Sequence, residues 1–176
     1  MHILGISGSL RKDGNTAKLL HKVLEGAGTS YSFISLADVE VSACRGCRQC
    51  SGTGTCVIPD GMHSIYEELR RCDAVVLGSP VYFGNINASL KAVMDRTLCL
   101  FSEKTLKDKL GAAVACTGRD AADIVLGTIS KFYTYHKIIY VGGVAGYGAI
   151  TDEKEACREA VTLGERLVGL WRKMHG

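Results

Sequence analysis

Three stretches of this chain, Asp73 to Ser79, Leu110 to Cys116 and Lys137 to Val141, are almost continuously apolar, and His2 to Ile6 opens the sequence in a similar way. Short runs of this kind read as strands buried on both faces, the pattern of a parallel sheet. A mixed pattern over Ser30 to Leu36 adds one more strand. Helical periodicity fills the intervals: Thr16 to Gly26, with Leu19, Leu20, Val23 and Leu24 on one face, then Met62 to Cys72, Ala88 to Leu100, Ala121 to Tyr135 and Asp152 to Met174. In the second of these Ile65, Tyr66 and Leu69 form the buried side, and Asp60 stands ready as a cap. Alternation at this spacing requires right-handed crossovers, and it predicts an α/β fold with a doubly wound five-stranded parallel sheet in the order 2-1-3-4-5. With 176 residues, one domain over 1–176 is expected. Ligands of such sheets lie beyond the carboxyl ends of the strands, where the first and third diverge.

A loop inserted at 43–60, after the second strand, holds four of the eight cysteines, Cys44, Cys47, Cys50 and Cys56, in the spacing C-x2-C-x2-C-x5-C. Three thiols so spaced cannot share one helix face or one strand face, but a loop can wrap them around a compact multi-atom centre. Gly46, Gly52 and Gly54 permit the positive backbone dihedrals that wrapping needs. Four thiolates of this kind suit an iron-sulfur cluster. Zinc is the first alternative, although its ligands usually come as separated pairs. A disulfide or thiol-redox loop is the second. Cys72, Cys99, Cys116 and Cys157 fall in apolar patterns and read as small core residues.

Two other segments belong at the carboxyl ends of strands. Ser7 to Asn15 links the first strand to its helix and is rich in hydroxyls and amides. It lacks the Lys-Ser or Lys-Thr of a Walker loop and the G-x-G-x-x-G of a dinucleotide site. A loop of this composition at a helix N-terminus suits a phosphate monoester, and its residues equally suit a plain turn and cap. Ser79 to Asn87 follows the third strand, with Tyr82 and Phe83 as flat surface and Gly84 and Asn85 as unhindered backbone donors, a combination suited to a planar heterocycle. Together these segments point to FMN rather than a dinucleotide.

The net charge of +3 comes from basic residues dispersed among acidic ones, so no stripe exists to track nucleic acid phosphates. No apolar run approaches the roughly 18 residues of a membrane span, and Met1 to Ile6 lacks the pattern of a signal peptide. A cytoplasmic location is expected, where thiols stay reduced.

The segments G-I-S-G-S-L-R-K-D-G-N-T and S-P-V-Y-F-G-N-I-N-A-S-L-K-A-V-M-D-R, with the cysteine motif followed by V-I-P-D-G-M, resemble the iron-sulfur flavoproteins. That group belongs to the NADPH-dependent FMN reductase class of flavodoxin-like proteins, and the resemblance runs over about residues 1–145. It implies that Ser7, Ser9, Arg11, Asn15 and Thr16 surround the FMN phosphate. Pro80, Val81, Tyr82, Phe83, Gly84 and Asn85 would hold the isoalloxazine ring, and Thr117, Gly118 and Arg119 would complete the site. The chain departs from the glycine-rich pattern of its relatives at Asp120-Ala121-Ala122. Cys44, Cys47, Cys50 and Cys56 match the motif for a 4Fe-4S cluster, flanked by Arg45 and Arg48. Joined, the two centres imply an electron relay between a one-electron carrier such as ferredoxin and a two-electron acceptor, with no acid or base required. The alternative is an NAD(P)H-dependent FMN or quinone reductase whose cysteine loop is structural or redox-sensing. A homodimer or homotetramer is expected, with Leu98 and Phe101 beside the flavin site covered by a partner chain.

Overall fold

In a computed structural model, described for residues 1–148 and 154–176, the sheet strands are β1 (His2–Ser7), β2 (Ser30–Ser35), β3 (Ala74–Tyr82), β4 (Asn85–Ile86), β5 (Leu110–Thr117) and β6 (Ile139–Tyr147). The helices are α1 (Asn15–Ala27), α2 (Met62–Arg71), α3 (Ala88–Arg96), α4 (Leu98–Phe101), α5 (Ala122–His136) and α6 (Lys154–His175). The five long strands run parallel in the order β2-β1-β3-β5-β6, which is the expected 2-1-3-4-5 arrangement of a flavodoxin-like sheet. β4 was not expected. It pairs antiparallel with the end of β3 and folds the chain back on itself at residues 83 and 84.

The apolar runs divide between two cores because successive side chains of a strand point to opposite faces. Leu4, Ile6, Val75, Leu77, Ala113 and Ala115 face the side covered by α2, α3 and α5. Ile3, Ala74, Val76, Ala112 and Val114 face the side covered by α1 and α6. These last two helices meet closely. A Cβ on Gly164 would lie 2.1 Å from the Val23 carbonyl oxygen, so glycine is what lets the backbones touch.

Sequence boundaries shift for local reasons. The helix expected over Ala88 to Leu100 is interrupted at Thr97, whose backbone N–H already bonds to the carbonyls of Val93 and Met94. β6 runs past Val141 to Tyr147, pairing with β5 throughout, with one register shift beside Gly111 and Ala112. The expected start of the last helix at Asp152 lies outside the described residues. Leu19, Leu20, Val23 and Leu24 are buried as expected, as are Ile65, Tyr66 and Leu69. Cys72, Cys99 and Cys116 are buried and Cys157 is half-buried.

His136 closes one end of the core. The Thr97 hydroxyl donates to the Met94 carbonyl (2.7 Å), so its oxygen accepts from His136 Nε2–H (2.9 Å). Phe101 and Phe132 pack around the ring. Burial lowers the His136 pKa to about 4. The folded chain therefore disfavours a proton that the unfolded chain accepts near pH 6.5. Stability contributed by the neutral ring is complete above that pH and declines as the pH falls towards 4, by about 3 kcal/mol in total. Urea unfolding measured from pH 7 to 4.5 should show this decline, and His136→Gln should remove most of it. An unchanged slope in the variant would contradict the assignment.

Candidate functional site

β1 and β3 part at their carboxyl ends, and the space between them opens into a cleft of about 600 Å³. Its three walls come from four segments of the chain. Ser9, Arg11, Asp13, Gly14, Asn15 and Thr16 form one side, Pro80, Val81 and Tyr82 another, and Cys116, Thr117, Gly118 and Gly148 the third. Nine of the residues anticipated for a flavin thus meet here, although they lie far apart in the chain.

The first loop is shaped by its own short hydrogen bonds. Arg11 N–H donates to Ser9 Oγ (3.1 Å), and Gly14 N–H donates to the Arg11 carbonyl (3.1 Å). α1 then begins with no side-chain cap, which leaves first-turn N–H groups directed towards the cleft. Such donors at a helix N-terminus favour an anion. Asn15 Nδ2 donates to the Gly148 carbonyl and ties the loop to the end of β6. Opposite, Thr117 Oγ accepts from Arg119 N–H (3.2 Å) and donates to the Asp120 carbonyl (2.8 Å).

The other anticipated residues stand elsewhere. Ser7 is fully buried beneath the loop, and its Oγ has no hydrogen-bond partner among the described residues. Phe83 and Gly84 form the two-residue tip between β3 and β4, both with positive φ (49° and 74°). That geometry is ordinary for glycine and strained for phenylalanine. Phe83 is fully exposed there, while Tyr82 is half-exposed in the cleft wall. The Asn85 side chain accepts from Ile86 N–H (2.8 Å) and from Thr128 Oγ (3.3 Å). Arg119 does not line the cleft.

Two supporting residues escaped sequence reasoning. Asn87, buried just before α3, donates through Nδ2 to the Gly8 carbonyl (2.5 Å), and its own N–H donates to Ser79 Oγ (3.0 Å). Gly8 N–H donates to the Gly78 carbonyl (2.8 Å). Any side chain at residue 8 would collide with Asn87, since a Cβ would sit 2.6 Å from Oδ1. The sequence signal was an asparagine immediately before a helix, which reads as nothing more than a cap.

The cysteine loop leaves the sheet after β2 and returns at α2. Its thiols divide into an outer and an inner pair: Cys44 and Cys47 are exposed, Cys50 is half-buried against the core and Cys56 is buried. Gly46, Gly52 and Gly54 have positive φ as expected, and Arg48 joins them at 58°. The inner half is fastened by Arg70 donating to the Gly54 carbonyl and by Thr53 Oγ donating to the Thr55 carbonyl (2.9 Å). Burial raises the Cys50 pKa, and the neighbouring Cys56, Cys44 and Cys47 add to the rise. Among the described residues no three His, Cys, Asp or Glu side chains converge in ligating positions. The four candidate donors are nonetheless all sulfur and sit on one loop, a donor chemistry that fits a thiolate-held metal centre, whose binding takes the place of the thiol protons.

A family model described as NADPH-dependent FMN reductase matches residues 1–151. The chain belongs to that family. An iron-sulfur flavoprotein of Methanocaldococcus jannaschii is 39% identical over 147 residues, covering 81% of this chain and 76% of the relative. Another from Methanosarcina thermophila is 36% identical over 157 residues, covering 86% and 82%. Among solved structures, a flavodoxin-type WrbA-like protein of Agrobacterium tumefaciens aligns with a TM-score of 0.71 at 14% identity, over 98% of this chain and 97% of that one, a likeness of fold. Within the family the chain groups with the iron-sulfur flavoproteins, and it is an FMN-dependent oxidoreductase.

Asn87→Ala leaves the Gly8 carbonyl without its buried side-chain donor, while the backbone N–H of residue 87 still reaches Ser79 Oγ, at a cost of about 1–3 kcal/mol. Denaturant unfolding should reveal this loss, with faster hydrogen exchange confined first to residues 8–14. Wild-type stability in the variant would show that the loop does not depend on Asn87.

Proposed function

We propose that this protein is an FMN-binding electron-transfer flavoprotein whose cysteine loop holds a 4Fe-4S cluster, relaying electrons between a one-electron carrier such as ferredoxin and a two-electron acceptor. The observation that carries this reading is the placement of an uncapped helix N-terminus with a polar loop and, at the same end of the parallel sheet, a loop bearing four thiols. Bound FMN would supply a centre that holds one or two electrons, and a bound cluster one that passes them singly.

The chain's own residues would act by binding and orienting. Ser9, Arg11, Asn15, Thr16 and the first-turn N–H groups of α1 would receive the phosphate. Ser7 Oγ, buried beneath that loop and unpartnered among the described residues, is a further donor. Pro80, Val81 and Tyr82 would wall the ring on one side and Thr117 and Gly118 on the other, where a Cβ on Gly118 would meet nothing within 4 Å. Phe83, Gly84, Asn85 and Arg119 lie outside that cleft and would reach the ring's exposed edge only as a rim. Cys44, Cys47, Cys50 and Cys56 would ligate the cluster, with Arg45 and Arg48 exposed beside them for an acidic carrier. No side chain needs to move a proton. The full exposure of Phe83 supports a homodimer or homotetramer with partner chains covering the flavin rim, whereas Leu98 and Phe101, expected beside the flavin, do not line the cleft, and Phe101 packs on His136 just ahead of the amino end of β6. One domain over 1–176 and a cytoplasmic location complete the reading. Among the described residues no helix is long and apolar enough to cross a membrane, and no two cysteines are joined in a disulfide.

The second reading is favoured by the family's description, an NADPH-dependent reductase of FMN, and it leaves the cysteine loop structural or redox-sensing. Anaerobic purification separates the two. The relay predicts extractable FMN without FAD, iron and sulfide in equal amounts, loss of both in Cys50→Ala, and slow flavin bleaching by NADPH alone. Zinc in place of iron, or rapid bleaching by NADPH, would favour the reductase. Sedimentation at low micromolar concentration should give a dimer or tetramer, and a monomer would count against shared coverage of the rim.

A further inference from the structure

The floor beneath the cysteine loop is built around one charged side chain. Arg96, the last residue of α3, is fully buried. Its Nη1 donates to the Ser42 carbonyl (2.9 Å) and to Asp60 Oδ2 (2.8 Å). Its Nη2 donates to Asp60 Oδ1 (3.0 Å) and to the Ile58 carbonyl (3.3 Å). These partners sit on both stems of the loop, ahead of Cys44 and behind Cys56. The guanidinium therefore lies inside the loop's base, on the side of the buried inner thiols.

Closing the stems does not use the whole side chain. Arg96 Nε is inaccessible to water and has no hydrogen-bond partner among the described residues. A buried N–H of a cation without an acceptor is costly and uncommon. The Tyr66 hydroxyl packs beside it and donates to Arg96's own carbonyl (2.8 Å). Cys56 is close enough for its charge to act on the guanidinium. A thiolate sulfur is an acceptor of the kind this N–H lacks, and the cluster reading places one in this floor.

We propose that Arg96 is a positioning residue for the sulfur centre, its buried positive charge and spare Nε–H raising the reduction potential of the cluster that Cys56 helps to hold, with Asp60 as the opposing charge. This rests on the cluster reading above. Reduction adds one electron from an external one-electron donor to a centre already made negative by its thiolates. A buried cation stabilises that product, and a buried carboxylate opposes it. The two partners of one ion pair must then move the potential in opposite directions. A purely structural pair has no reason to do so.

The test is redox titration of the cluster followed by electron paramagnetic resonance, in the anaerobically purified full chain and three variants. Arg96→Gln should weaken reduction about tenfold, a fall of about 59 mV for one electron. Asp60→Asn should shift the potential upwards, because it keeps an acceptor oxygen and removes the opposing charge. Arg96→Lys should stay within about twofold of the wild type. Shifts of the same sign in Arg96→Gln and Asp60→Asn, or no shift in either, would overturn the proposal. If Arg96→Gln does not fold, Asp60→Asn decides alone, and an unchanged or lowered potential rejects the idea. A wild-type chain that carries zinc and no iron fails the cluster reading itself, an outcome recognisable before any variant is made.

Discussion

The pairing of Arg96 with Asp60 is the constraint on which the two halves of the candidate site depend. The segment from Leu36 to Gly61 has no regular secondary structure, so its placement rests on a few contacts. Burial works against the charge of Asp60, but the guanidinium and the N–H groups of Ser42 and Met62 outweigh it and hold the carboxyl down at about 2. Burial likewise opposes the charge of Arg96, and Asp60 more than restores it. An ion pair of this sort adds little net stability compared with a well-packed apolar pair, because both ions give up hydration. Its contribution is geometric: one bidentate pair with Asp60 and single bonds to the Ser42 and Ile58 carbonyls fix both stems of the loop at one point.

That point is also the end of α3. At the opposite end Asn87 holds the Gly8 carbonyl and hence the polar loop of the cleft. One short helix, about 13 Å long at 1.5 Å per residue, thus carries an anchor for each site. Leu90, Val93 and Met94 bury its inner face, so the helix cannot rotate without opening the core. The separation of the polar loop from the thiol loop is therefore set by a rigid body, a useful property where two redox centres must keep a constant distance.

The fold was readable because parallel strands covered on both faces must be apolar in consecutive residues, as Ala74 to Leu77 and Ala112 to Ala115 are. The hairpin at β4 was not readable, since two strand residues around a Phe83-Gly84 tip leave no periodicity to detect. The longer β6 was missed because Gly142 and Gly143 interrupt its apolar pattern while its backbone continues to pair with β5.

At the level of single residues, the sequence by itself determined the chemical inventory: four closely spaced thiols, a hydroxyl-rich turn before a helix, and an aromatic pair after a strand. Composition and spacing are local properties, and local steric rules suffice to read them. Only the tertiary structure decided which members of that inventory meet. It put Tyr82 in the cleft and turned Phe83 out to solvent, because Phe83 itself occupies the two-residue turn that reverses the chain. It buried Ser7 beneath the loop rather than in its wall. It also made partners of Asp60, which reads in sequence as a helix cap, and Arg96, which falls inside the helix expected over Ala88 to Leu100. Their attraction depends on two segments 36 residues apart in the chain being packed against the same core, and no local pattern encodes that distance.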